Sequence, residues 1–321
     1  MQKTSKKVFT KPFIIAILLV IALAIASVFT GAYDILKEGN SSQMIFITRI
    51  PRTLALMLAA VAMSLSGIVM QLISQNKLVE PTTTGTIEWA GLGLVLVYIL
   101  IPSPSLFQRM TGAIIASFIG SMVFFYLLKN IKLKSSLFVP IVGIMLGAVI
   151  SAVSTFIGLE FNMTQVIEVW FQGSFAPVQR GRYEYLFVII LITIAIYRYA
   201  DKLTIAGLGE DITTNLGLNY NQIILRANIL IAIACGIVAA VIGNIPFLGL
   251  IVPNLVSLYR GDDLRANIPW VCLVSMIVML VADILSRIII APFELPVSLI
   301  LGSAGSIIFI IILLNQRRFK I

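Results

Sequence analysis

Histidine is absent from this 321-residue sequence, and with it goes the commonest metal ligand and general base. Charge is scarce as well: Asp, Glu, Lys and Arg supply 12% of the residues, against 59% that are hydrophobic. A soluble domain of this length needs far more charged surface. With a mean hydropathy of +1.04, the chain reads as an integral membrane protein. No Gly-Lys dipeptide occurs anywhere, which excludes the P-loop that cradles nucleotide phosphates. Cysteine is limited to Cys235 and Cys272, both inside apolar blocks, where they read as small packing residues. There are no paired central carboxylates and no mid-span Ser-Lys arrangement either, so an intramembrane enzyme is not expected. No metal site and no cofactor are expected.

What is present is long apolar blocks, at 12–33, 53–73, 85–101, 110–128, 137–159, 185–200, 222–243, 247–258, 268–290 and 295–314. About twenty apolar residues cross a bilayer core as a helix. These runs are apolar all round, whereas barrel strands alternate. The expected fold is an all-α integral membrane protein of about ten transmembrane helices, forming a single polytopic domain over 1–321. The block at 247–258 is short for a full span and must extend into its flanks or be shielded by neighbours. The basic start, Lys3, Lys6, Lys7 and Lys11, resembles a signal peptide, but the apolar run is long and further spans follow, so it reads as a retained first helix.

The net charge of +9 belongs to topology and does not point to nucleic acid. With a cytoplasmic N-terminus, the inside segments hold Lys3, Lys6, Lys7, Lys11, Lys77, Lys129, Lys132, Lys134, Arg198, Lys202, Arg226, Arg260, Arg265, Arg317, Arg318 and Lys320, 16 of the 23 basic residues. That bias obeys the positive-inside rule and puts both termini in the cytoplasm. Helix two then enters from outside and helix seven from inside. Helices two to five and seven to ten form two halves of opposite orientation, as an inverted repeat produces. Gly143 and Gly147 are a small-xxx-small pair suited to close helix approach. Pro246 to Pro253 reads as a broken helix, and such breaks tend to line a cavity.

The inside loop Asp201 to Asn221 reads DKLTIAGLGEDITTNLGLNYN. Gly207 and Gly209 break the chain. Glu210 and Asp211 sit where a helix N-terminus welcomes negative charge. Ile212 and Leu216 share one face, and Gly217 is a natural stop. A helix of two turns is expected within 207–218, carrying an apolar face. It either packs on its own membrane domain or docks on a partner.

Four stretches, spread over nearly the whole chain, carry a family resemblance: RIPRTLALMLAAVAMSLSGIVMQ from Arg49 to Gln71, NKLVEPTTTG from Asn76 to Gly85, Gly209-Glu210 to Leu216-Gly217, and GNIPFLGLIVPNLVSLYRGDD followed by ADILSRIIIAPFELP. Together and in this order they resemble the permeases of type II ATP-binding-cassette importers, which bring in ferric siderophores, haem and cobalamin. The neighbourhood EPTTTGTIEWAGLG is similar to the catecholate or petrobactin-type siderophore subgroup. The family often has histidine after the Pro of V-P-H, where this chain has Asn254.

The resemblance implies a transport subunit in the bacterial plasma membrane. Its expected partners are two ATP-binding subunits, a second permease (identical or paralogous) and a substrate-binding lipoprotein, with a ferric siderophore as cargo. Haem or cobalamin import is the nearest alternative; an ion-coupled secondary transporter would have to rely on Glu88 and Asp283. The resemblance makes 207–218 the coupling segment, through Gly207, Gly209, Glu210, Asp211, Ile212, Leu216 and Gly217. It makes Arg49, Arg52 and Arg287 docking cations for the binding protein, a role suited to the planar guanidinium. Asp283, four residues before Arg287, offers an internal pairing instead. Gln71, Asn76, Leu78, Ser136 and Asn254 match positions along or closing the path. Trp170 in WFQGS belongs to a short helix at the channel mouth, or is an interfacial anchor. Glu88 faces either an internal partner or a water-filled path, because an exposed carboxylate there costs about 2.5–3.5 kcal/mol at a helix centre.

Overall fold

The apolar blocks become helices because lipid offers no partner for free backbone groups. The computed structural model describes residues 10–31, 41–131 and 138–314. The helices are α1 (Lys11–Phe29), a single turn α2 (Ser41–Met44), α3 (Ile50–Ile73), α4 (Thr86–Leu100), α5 (Leu106–Asn130), α6 (Phe138–Glu160), α7 (Thr164–Gln172), α8 (Val188–Ala206), α9 (Glu210–Asn215), α10 (Tyr220–Val241), α11 (Leu248–Arg260), α12 (Leu264–Ile288) and α13 (Val297–Leu314). A π-helical stretch, Ile45–Arg49, leads into α3, and a 3₁₀ turn, Tyr183–Phe187, into α8. Polar side chains fix several starts. Ser105 and Gln108 form a capping box before α5, Asn219 accepts from Gln222 N, and Asp263 accepts from Ala266 N. These satisfy amides that the first turn leaves without intrahelical partners.

Among the described residues, six stretches of helix are long and apolar enough to cross a membrane, and three apolar helices, α4, α11 and α13, are shorter. The helix at α3 is 83% buried along its apolar window and α1 only 17%, so α3 forms the centre and α1 the rim. The core face of α3 is built of small residues, Ala55, Ala59, Ala60, Ala62, Ser64, Ser66 and Gly67, all buried. Without a hydrophobic drive between helices in lipid, such residues let backbones approach closely. The extreme case is Gly67, where a Cβ would stand 2.0 Å from the carbonyl oxygen of Gly249 in α11.

The series α3–α6 and α10–α13 repeat one design. In each, a long helix is followed by an irregular segment (74–85 or 242–247) and then by a short helix. α4 has 15 residues and α11 has 13, about 20 Å of rise, against a hydrocarbon core of about 30 Å. Both begin after a left-handed residue, Gly85 at φ 78° and Phe247 at φ 62°. The halves interlock, with α3 packing on α11 and α12 while α10 packs on α4 and α5. Gly143 and Gly147 of α6 lie against residues 83–88.

Some boundaries differ from the apolar blocks. α8 runs on to Ala206 through Asp201 and Lys202, because these polar side chains are exposed at its end. The 247–258 block extends to Arg260 and stays short.

Candidate functional site

Two faces of the bundle carry the expected site residues, one around α9 and one around α7. At the α9 face, Gly207 does not break the chain. It has helical dihedrals and closes α8, and the reversal occurs at Gly209, with φ 109°. α9 is six residues long, shorter than two turns, because Gly217 at φ 77° ends it. Thr213 is buried, and its hydroxyl donates to Ile205 O at 3.2 Å. The apolar side chains point away from the chain: Leu208, Ile212 and Leu216 are 57%, 46% and 60% exposed. Asp211 is exposed, and Glu210 lies 3.5 Å from Lys129 across an open surface, an ion pair of little energetic weight.

Beside α9 lies a cavity of about 300 Å³ lined by Gln71, Asn76, Gly207 and Asn254 among others. Pro253 in α11 has no N–H, so the carbonyl of Gly249, four residues earlier, loses its helical donor. Gln71 Nε2 supplies one at 3.2 Å. Asn254 donates to Leu250 O and Lys77 O, both at 2.8 Å, tying α11 to the loop after α3. Asn76 accepts from Leu78 N at 2.9 Å, and the Leu78 side chain is buried. Lys77 Nζ is 3.1 Å from Asp262. Burial alone would lift the Asp262 carboxyl, but the Ser257 hydroxyl and the Lys77 ammonium hold it below its ordinary value. Ser136 lies outside the described residues.

Glu88 has no cationic partner among the described residues. It occupies the first turn of α4, and its carboxyl lies close to Gly147, so the positive end of a half-helix accommodates it. Glu80, which sequence reasoning missed, is fully buried. Its Oε1 accepts from Phe247 N at 2.9 Å and from the Thr82 hydroxyl at 2.5 Å. In sequence it looks like a loop acid, and no local signal sets it apart.

At the α7 face, Trp170 is inserted between helices, not laid on an interface. Its Nε1 donates to Ala239 O at 2.7 Å, and its ring fills the place where a Gly91 Cβ would stand. Ser174 N donates to Ile242 O, and Asn244 N to Trp170 O, at 3.1 and 3.3 Å. α7 is therefore fastened to the 242–247 break. The three arginines cluster here around Asp283, which is fully buried. Arg287 pairs with Asp283 and donates to Ser27 O and Thr30 O at 3.0 and 2.7 Å. Arg52 pairs with Asp283 at 2.9 Å and with Glu294 at 2.7 Å. Arg49 donates to Thr30 O. Arg49 and Arg287 are buried, and the Arg52 side chain is 12% exposed. The internal pairing is real, and Arg52 with Glu294 forms the part of the cluster nearest solvent.

The chain is 64% identical to the "Petrobactin import system permease protein FatD" of Bacillus anthracis over 312 residues, covering 97% of this chain and 93% of that protein. It is 39% identical to the "Petrobactin import system permease protein YclN" of Bacillus subtilis (strain 168), covering 94% and 98%. A solved inward-facing structure of a metal-chelate type ABC transporter superposes with a TM-score of 0.82 at 24% identity, covering 96% of this chain and all of that one, which shows the shared fold. Residues 14–315 match the family description "FecCD transport family", and the chain belongs to that family of ABC importer permeases.

Proposed function

We propose that this chain is the permease of an ATP-driven importer of ferric siderophores of the petrobactin type. The observation that carries the substrate class is the 64% identity, over 97% of the chain, to a petrobactin import permease. The α9 face lies in the cytoplasm, as do both termini, and the α7 face lies outside. Leu208, Ile212 and Leu216, exposed on and beside the short helix α9, fit a cleft on an ATP-binding subunit. Two such subunits drive two permeases, the second identical or paralogous. A siderophore-binding lipoprotein docks on the α7 face, with Arg52 and Glu294 at the rim and Arg49 and Arg287 behind them. Gln71, Asn76, Leu78 and Asn254 line or close the inner path, and Glu88 lies beside it.

Proteoliposomes test this reading. With the ATPase and the loaded binding protein, ferric petrobactin uptake should require ATP, and haem and cobalamin should not enter. Uptake driven by a proton or sodium gradient without the ATPase would overturn it.

A further inference from the structure

Glu80 and Asp283 are the fully buried carboxylates among the described residues. Asp283 is surrounded by arginines, whereas Glu80 makes no ion pair among the described residues. What Glu80 faces instead is the start of α11. Phe247, the residue at that start, donates its amide to Oε1 at 2.9 Å. The other oxygen lies 3.1 Å from where a Gly249 Cβ would stand. A helix that begins inside a bilayer needs acceptors for its first amides and presents partial positive charge. Glu80 supplies such an acceptor, from a loop of the opposite half of the protein.

That loop and that break have further attachments. Lys77 O accepts from Asn254, and Gln75 lies against Gly209 at the start of α9. On the other side, the 242–247 break is bonded to Trp170 and Ser174 of the α7 region. Glu80 is thus a polar link between the loop after α3, whose Gln75 side chain lies near Gly209, and a break fastened to α7.

We propose that Glu80 is a positioning residue for transport: it makes the 76–85 loop and the 242–247 break move as one piece, so that a displacement at α9 reaches α7. This rests on the import reading above. The test is hydrogen exchange on the full chain in nanodiscs, together with uptake and ATP hydrolysis in the assembled importer. Glu80→Ala should raise exchange at least tenfold in both 242–250 and 168–176, and lower siderophore imported per ATP at least tenfold. Glu80→Gln keeps an acceptor for Phe247 but loses the second carboxyl oxygen that faces Gly249, and should raise exchange in both segments about threefold. If Glu80→Ala does not accumulate, Glu80→Gln decides alone. A change confined to 242–250, no change in either segment, or an unaltered import-to-ATP ratio overturns the link. If the wild-type importer moves no siderophore, the import reading falls, while the exchange comparison still judges the link.

Discussion

The α9 face and the α7 face are both expected to meet partner proteins, yet they present opposite chemistry. At α9 the apolar side chains are left in the open while the one buried side chain, Thr213, is satisfied internally. At α7 the charged side chains are turned inward, Arg52 and Arg287 pairing with Asp283. Exposed Leu208, Ile212 and Leu216 on and beside a six-residue helix fit a covering partner. Buried arginines carry no such message, because their first duty is to each other's counter-charge. A face read by exposed apolar area needs its partner for cohesion. A face read by charge can be complete alone and still offer a rim for docking.

The largest effect should come from breaking the buried side of this contrast. Asp283→Ala leaves Arg287 and Arg52 without their shared carboxylate, a loss of about 3–5 kcal/mol for a broken buried pair. Unfolding of the purified chain in detergent measures it, and a loss under 1 kcal/mol would mean that the cluster is not the internal anchor described. Next comes the exposed side. Leu216→Asp should leave insertion and stability unchanged while removing import by about thirtyfold or more, the scale of a hot-spot loss of about 2 kcal/mol. Normal transport with the ATPase still bound would show that the apolar face is not a docking surface.

Two smaller experiments sharpen the comparison. Arg52→Gln should weaken docking of the loaded binding protein about tenfold, with reduced salt dependence, whereas Glu294→Gln should tighten it by freeing Arg52. Equal effects of the two on affinity would remove Arg52 from the rim. Asp262→Asn should cost about 1 kcal/mol or less, since the Lys77 pair is solvent-screened. Asp262 titrates below its ordinary value in the folded chain. Its contribution is therefore complete above the unfolded carboxylate range and lost as pH falls through the lower folded value. Thermal unfolding of wild type and Asp262→Asn should converge in acid and separate slightly near neutrality.

The helices were legible because composition alone dictates them: an apolar run as long as 268–290 has no other stable form in lipid. The short helix α9 was legible because Gly209 and Gly217 punctuate it. The half-helices were only half legible. The shortness of 247–258 stood out, but 85–101 looked like an ordinary span, since nothing local reveals that α4 begins at depth. Glu80 was illegible for the same reason: the depth of the 74–85 segment is set by Gly67 and Gly249 meeting, a contact between residues far apart in sequence. The arginines were found, but their burial was not, because the carbonyls of Ser27 and Thr30 that hold Arg287 belong to the first helix and have no sequence signature.

The Gly67–Gly249 contact has a mechanical consequence. With no side chain between the two backbones, α11 rests directly on α3 at a point near its own start, and a rocking of α11 about that point would have unequal arms. Gly249 is two residues from Phe247 and eleven from Arg260, arms of about 3 Å and about 16 Å at 1.5 Å per residue. About that contact α11 would act as a lever with a strongly unequal ratio, about five to one. A swing of several ångströms at its long arm becomes a sub-ångström, high-force displacement at its short arm, a gearing suited to prising apart close-packed backbone rather than sweeping it aside.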